Sequence, residues 1–324
     1  FGLVSIVVVG AFYYGLMHRE LKDDSPYGDV RSSLFVALAE WAAKKSKGLP
    51  HSHERAWKPN LLVPIEETTE LRGVANFLRD ITFPSGSVNI LGVNMKRKTD
   101  SIRKRMKMLT RSFQKENIYS TYTIVTTRNY LDDIVSSMDT LKRAFFSPNT
   151  LFLRIPRRED RQIEMHKVIS KAMENEMGIL LYAGHPKAGL GQRRIINIYM
   201  PEKCLDWEPS MTLPNCDLAI LTAYKLKMNW DAKINLIAIV RDPEKMERIK
   251  KNLDLLLEMT RIPIDNVVVE NIDFEEYLEQ APLADLSILA LSEDTNFDWM
   301  REIIIKTRST CLFCRDSGKE SALA

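Results

Sequence analysis

The stretch DLAILTAYKLKMNWDAKINLIAIV, residues 217–240, decides the fold class. Its first fourteen residues read as a helix ending at Trp230, and INLIAIV (234–240), after Lys233, is an unbroken apolar run of strand length. A strand that is apolar at every position is covered on both faces, as in a parallel sheet with helices above and below it. Outward from this unit the same alternation recurs. LLVPI (61–65), VNILGV (88–93), YTIVT (122–126), LFLRI (151–155) and GILLYA (178–183) read as strands before it, and NVVVEN (266–271), LSILAL (286–291) and TCLFC (310–314) after it. Between them lie amphipathic stripes such as Leu71, Val74, Leu78, Ile81; Leu131, Ile134, Met138, Leu141, Phe145; and Met246, Ile249, Leu253, Leu256, Thr260. The predicted class is α/β with largely parallel sheets.

Residues 184–194, GHPKAGLGQRR, lead into IINIYM (195–200), which reads as a hairpin adding an antiparallel edge strand. Pro209 and Pro214 then break every periodic pattern in LDWEPSMTLPN. These signals divide the chain into residues 1–27, a first α/β subdomain at 28–205 and a second at 206–324. The two also read as a tandem repeat: helix 29–45, Trp57 and a strand after Lys58 match helix 217–230, Trp230 and a strand after Lys233. Convergence of two unrelated segments on a common α/β pattern is the competing reading.

The first seventeen residues, FGLVSIVVVGAFYYGLM, hold no charge, and His18, Arg19 and Lys22 follow them. At about 1.5 Å per residue the run makes about 26 Å of helix, near the thickness of a bilayer core, so it reads as the end of a last membrane-spanning helix. The basic flank puts the rest of the chain on the cytoplasmic side of the cell membrane. A buried core helix is the alternative for so short a run. The 46 Lys+Arg against 43 Asp+Glu leave a net charge of +3, which argues against a nucleic-acid partner. Four cysteines, at 204, 216, 311 and 314, fit a reducing compartment.

Catalytic and metal chemistry find little support. The histidines at 18, 51, 53, 166 and 185 are scattered, and His166 shares a helical face with Ile169 and Met173, as a core histidine would. Cys311 and Cys314 lie three apart in a strand, which sends them to opposite faces and points to packing. Gly184, Gly189 and Gly191, near Lys187, Arg193 and Arg194, raise the possibility of a phosphate cradle, but no helix follows to hold the anion, so a mobile hairpin is expected. No enzyme, cofactor or metal is expected.

MKRKTDSIRKRMKMLTRSFQK (95–115) carries nine Lys/Arg against the single acid Asp100. Ile102, Met106, Leu109 and Phe113 form its buried stripe. Lys96, Arg97, Lys98, Arg103, Lys104, Arg105, Lys107 and Arg111 are the candidates for contact with anionic lipid headgroups or an acidic partner surface; a solvated helix face is the plainer reading.

SPYGDVRSSLFVALAEW, RAWKPNLLVPIE, GLGQRRIINIYM and DLAILTAYKLKMNWDAKINLIAIV, in this order behind an apolar helix, resemble the cytosolic C-terminal region of prokaryotic cation-chloride cotransporters. The resemblance implies a transporter that carries chloride with sodium and/or potassium, and C-terminal α/β subdomains resembling universal stress protein folds. It further implies that these subdomains regulate transport, partner the protein's own transmembrane domain and form a homodimer. Exposed sheet edges suit dimerisation, and Thr310, Cys311, Leu312 and Phe313 are the edge candidates. The serine/threonine-rich insertions of animal members are missing, so control by phosphorylation is not implied. The competing reading is a nucleotide-sensing, stress-protein-like C-terminal module of an amino-acid permease.

Overall fold

The computed structural model describes residues 57–322 apart from 72, 94–98, 126–129, 143, 145, 157–158, 207–215 and 261, and before them only 7, 10, 11, 14, 36–42 and 44. Residues 1–52 and 53–324 form two compact units. In the first, the described residues are helical. The apolar run 1–17 lies mostly outside them, and among the described residues no helix is long and apolar enough to cross a membrane.

In the second unit the chain runs β1 (Asn60–Ile65), α1 (Ala75–Thr82), β2 (Ser87–Gly92), α2 (Thr99–Lys115), β3 (Tyr119–Ile124), α3 (Tyr130–Leu141), β4 (Thr150–Arg154), α4 (Asp160–Glu174) and β5 (Gly178–Ala183). It continues with β6 (Ile195–Met200), α5 (Glu202–Leu205), α6 (Asp217–Trp230), β7 (Lys233–Ile239), α7 (Met246–Thr260), β8 (Asn266–Glu270), α8 (Phe274–Gln280), β9 (Leu286–Ala290), α9 (Phe297–Thr307) and β10 (Thr310–Arg315). All ten strands join one sheet in the order β3-β2-β1-β4-β5-β10-β9-β6-β7-β8. Every pairing is parallel except β5 with β10, which run antiparallel from Ala183↔Cys311 to Ile179↔Arg315.

Numbered within each half, β1–β5 and β6–β10 both have the order 3-2-1-4-5, and they meet through their fifth strands. The two halves are therefore related by a pseudo-twofold axis through the β5/β10 seam. One face of the sheet is covered by Phe77 and Leu78 of α1, Met106 and Phe113 of α2, Leu218 and Leu226 of α6, and Ile249 and Leu253 of α7. The other is covered by Ile134 of α3, Val168 of α4, Leu278 of α8 and Ile303 of α9. Burial on both faces is what the unbroken apolar strands require.

Four expectations change. First, IINIYM is not an antiparallel edge strand: β6 is internal, paired parallel to β7 and β9, with five of its six residues buried. An edge strand leaves its outer residues wet, as β8 does with Asn266 and Val267 exposed. Second, since β6 opens the second half, the boundary between the halves falls in the 184–194 connector; placing 195–205 in the first half put a strand on the wrong side. Third, the repeat is displaced by one unit. Topology equates β1 with β6 and α1 with α6, so the segment around Trp230 matches α1–β2, not the helix and strand around Trp57. Fourth, Thr310, Cys311, Leu312 and Phe313 are not on a free edge, because β10 is hydrogen-bonded to β5 on one side and β9 on the other. Its apolar run marks the middle of the sheet; the outer strands are β3 and β8.

Candidate functional site

The basic segment folds as α2 with its two faces sharply divided. Met106 and Phe113 are buried, Ile102 and Leu109 half-buried against the same core, and the hydroxyl of Ser120 on β3 donates to the Thr110 carbonyl at 2.8 Å. The spacing of these residues turns Arg103, Lys104, Arg105, Lys107 and Arg111 outward, and all five are exposed. Lys96, Arg97 and Lys98 lie outside the described residues. At the C-terminal end of α2, Tyr119 begins the outer strand β3, is 48% exposed and packs on Phe146, with ring centroids 4.5 Å apart. One outer end of the sheet thus combines a cationic helix face with exposed aromatic surface.

In an open α/β sheet a ligand is expected where the strand order reverses, beyond the carboxyl ends of strands 1 and 4. Here those points follow β1 and β4, and β6 and β9, and both are occupied by the chain's own acids and bases. In the first half Arg161 bridges Glu66 at 2.6 Å and Glu164 at 2.5 Å and lies over the Tyr130 ring, while Arg154 donates to the Glu70 carbonyl. Burial pushes the Glu70 carboxyl up, opposed by the Glu67 and Glu66 N–H groups that its side chain accepts. In the second, Lys245 bridges Glu202 at 3.2 Å and Asp206 at 3.0 Å. A phosphate entering either place would meet carboxylates.

The glycine-rich connector does hold an anion, and that anion is internal. The Asp285 carboxylate accepts from the N–H groups of Gln192 (2.8 Å), Arg194 (2.7 Å) and Ile195 (2.9 Å). Gly191 sits at φ +48° directly over it, where a Cβ would overlap the Asp285 Oδ1. His185 closes the turn by accepting the Lys187 and Ala188 N–H groups on Nδ1, and Thr310 donates to the Gly189 carbonyl. The expected mobile hairpin is therefore a packed strap crossing the ends of β10 and β9 to reach β6.

Cys311 and Cys314 lie on opposite faces of β10, both fully buried, and burial pushes the Cys311 thiol up to about 12. His166 is half-buried against the edge of Phe297, with centroids 4.9 Å apart; His51 and His53 lie outside the described residues. Among the described residues no group of His, Cys, Asp and Glu is arranged to hold a metal ion.

The sequence gives no sign of one further cluster. Just after β10, Asp316 accepts from the N–H groups of Asp217 (2.8 Å) and Leu218 (3.1 Å), capping α6 from the far end of the half. Asp217 accepts the Ala322 N–H at 2.6 Å, and Glu320 accepts both the N–H and the hydroxyl of Ser317 at 2.8 Å. All three acids are buried. The acid at the start of α6 could be read from sequence as a helix-terminus preference. Its partners, about a hundred residues away, could not.

Comparison with known proteins agrees with this architecture. The model for the first C-terminal domain of prokaryotic cation-chloride cotransporters matches residues 63–190, and that for the second matches 191–323, the junction falling in the 184–194 strap. A crystal structure of the cytoplasmic domain of a prokaryotic cation chloride cotransporter is similar at a TM-score of 0.74 and 37% identity, over 82% of this chain and 98% of that one. A functionally unknown protein of Pseudomonas aeruginosa PAO1 shares the fold at 10% identity and a TM-score of 0.51, over 81% of this chain and 94% of that one. A universal stress protein from Archaeoglobus fulgidus DSM 4304 is matched at 8% identity and a TM-score of 0.46, over 80% and 97%. No curated protein matches the sequence. With both family models spanning the sheet end to end, the chain belongs to the C-terminal domains of the prokaryotic cation-chloride cotransporters.

Proposed function

We propose that this chain is the cytoplasmic regulatory and dimerisation domain of a symporter that moves chloride with sodium and/or potassium, and that it performs no catalysis of its own. In this reading the apolar run 1–17 joins it to its own transmembrane domain in the cell membrane. The face of α2 carrying Arg103, Lys104, Arg105, Lys107 and Arg111 meets the anionic headgroups of the inner leaflet. The observation that carries the reading is this segregation of charge in a chain whose net charge is only +3. Near a charged leaflet each basic residue contributes about 1 kcal/mol. Dimerisation falls to the outer strands β3 and β8, whose outer backbone groups no other strand of the sheet uses.

Flotation with vesicles of phosphatidylglycerol and phosphatidylcholine tests the lipid contact. The wild type is expected to float with them and the Arg103, Lys104, Arg105 and Lys107 to Glu variant to stay behind; equal flotation overturns it. Sedimentation showing only monomer at high concentration overturns the dimer. Regulation is tested by chloride flux of the full transporter in proteoliposomes, which the same charge reversal is expected to change and which, if unchanged, removes this role for α2.

A further inference from the structure

The segment after β10 lies across the seam. Asp316 caps α6 of the second half. Glu320 lies against Gly178 at the start of β5 in the first half, where a Cβ would stand 2.6 Å from its Oε1. Outside, Lys319 pairs with Glu176 of the first half at 2.5 Å. One short strip of backbone thus ties β5 to α6, and at its centre three buried carboxyl groups crowd together.

We propose that residues 316–322 are a proton-operated latch on the β5/β10 seam, closed while Asp217 and Asp316, packed beside Glu320, hold a proton and loosened when both are ionised. This supplies a signal, proton concentration, for the regulatory reading above and rests on that reading only for its effect on transport.

The chemistry follows from what faces the cluster. Burial acts first and like charge adds to it: desolvation raises both Asp316 and Asp217, Asp217 on α6 and Glu320 on the segment raise Asp316 further, and Glu320 raises Asp217. The thiols of Cys216, ahead of α6, and Cys314, on β10, also sense Asp316: Cys216 is pushed up first by its hydrogen bond with the Cys204 thiol, then by burial and the nearby acids, and Cys314 by burial and then by Asp316. Cys204 is the thiol partner of Cys216. Arg315, the next residue along, turns to Glu293 at 3.2 Å, and Lys319 to Glu176. The N–H groups of Asp217 and Leu218 favour the ionised form of Asp316, yet burial prevails and holds it at about 7, with Asp217 at about 6.

Both values lie above the ordinary 3.8, so the closed latch binds more protons than the open one from about pH 4 upward. Its stability is complete below that pH and is lost as pH rises through 6 and 7. Acidification of the cytoplasm tightens the latch, and alkalinisation frees it.

Amide hydrogen exchange on the 324-residue chain, corrected for intrinsic rates, reads the opening at four N–H donors: Asp217, Leu218, Ser317 and Ala322. The opening constant is expected to rise about fortyfold between pH 5 and 6 and about tenfold between pH 6 and 7, and to level off above 7. In Asp316→Asn, with Asp217 alone left to titrate, the whole rise shrinks to about tenfold. Glu320→Gln keeps an acceptor for Ser317 while removing one charge, so the rise is smaller and levels off at lower pH. A wild-type opening constant that does not change between pH 5 and 8 overturns the latch; so does an unaltered rise in Glu320→Gln, even if the Asp316 variant does not fold. Exchange is blind to transport, so a working latch in a transporter whose flux ignores pH would refute only the regulatory reading.

Discussion

The carboxylate of Asp80, in α1 of the first half, accepts the indole N–H of Trp230, at the end of α6 in the second, at 2.8 Å. The two residues occupy pseudo-equivalent helices, and the contact fixes one helix against the other across the seam. The same Oδ2 receives Arg193 of the strap at 2.9 Å, Arg79 donates to Oδ1 at 2.8 Å, and Asn229 donates to the Asp80 and Phe83 carbonyls. Phe77 packs on both Tyr182 of β5 and Trp230, with centroids 5.2 and 6.3 Å away. This joint and the 316–322 strip flank the β5/β10 ladder in holding the halves together.

Asp80→Ala is expected to cost about 3 kcal/mol, because it strands the Trp230 N–H and removes the acceptor of two guanidinium groups in a buried place. Asp80→Asn retains one carbonyl acceptor and costs less. Urea unfolding of the three proteins provides the measurement, and equal midpoints would show that the joint contributes nothing.

Gly178→Ala puts a methyl group 2.6 Å from Glu320 Oε1 and 3.0 Å from Leu218 Cδ2. Overpacking of this kind costs about 1–3 kcal/mol. The strip can relieve it by lifting off, so the Ser317 and Ala322 amides should lose exchange protection before β5 does. Uniform loss of protection across the sheet would contradict this order.

Met106 is completely buried beneath the cationic face of α2, so Met106→Ala should cost about 2–5 kcal/mol. Its neighbours Arg105 and Lys107 are exposed, and their truncation to Ala should change stability by no more than about 0.5 kcal/mol. Thermal melts of the three variants separate the two faces of the helix. Comparable losses would mean that the basic side chains hold the fold together.

Cys311 and Cys314 have no solvent access, and burial holds both thiols well away from the thiolate form at neutral pH. Alkylation by iodoacetamide at pH 8 should leave both untouched in the folded chain and modify both in urea. Rapid labelling of either without denaturant would show that the seam opens.

Much of the fold was legible because it is written in local pattern. Nine of the strands stand where short apolar runs announced them, β3 starts at Tyr119, three residues ahead of YTIVT, and stripes such as Ile249, Leu253 and Leu256 are buried as their spacing requires. The two faces of α2 were legible for the same reason: steps of three and four residues relate Ile102, Met106, Leu109 and Phe113, and Met106 and Phe113 are buried. Strand neighbours were not legible. IINIYM reads identically as an edge or a central strand until its partners are known, and TCLFC gives no hint that antiparallel β5 lies on one side of it and parallel β9 on the other.

The glycine connector shows the same limit within the candidate site. Sequence supplied a small-residue loop fit to surround an anion; Asp285, far along the chain, supplied the anion.

By itself, then, the sequence determined the α/β class, the element order and the cationic helix, since each depends on side chains within a few residues of one another. Tertiary structure alone decided the 3-2-1-4-5 order of each half, the seam between them and the meeting of Asp217, Asp316 and Glu320. Those depend on contacts between segments about a hundred residues apart, where the energy lies in which surfaces meet, and no local period records that choice.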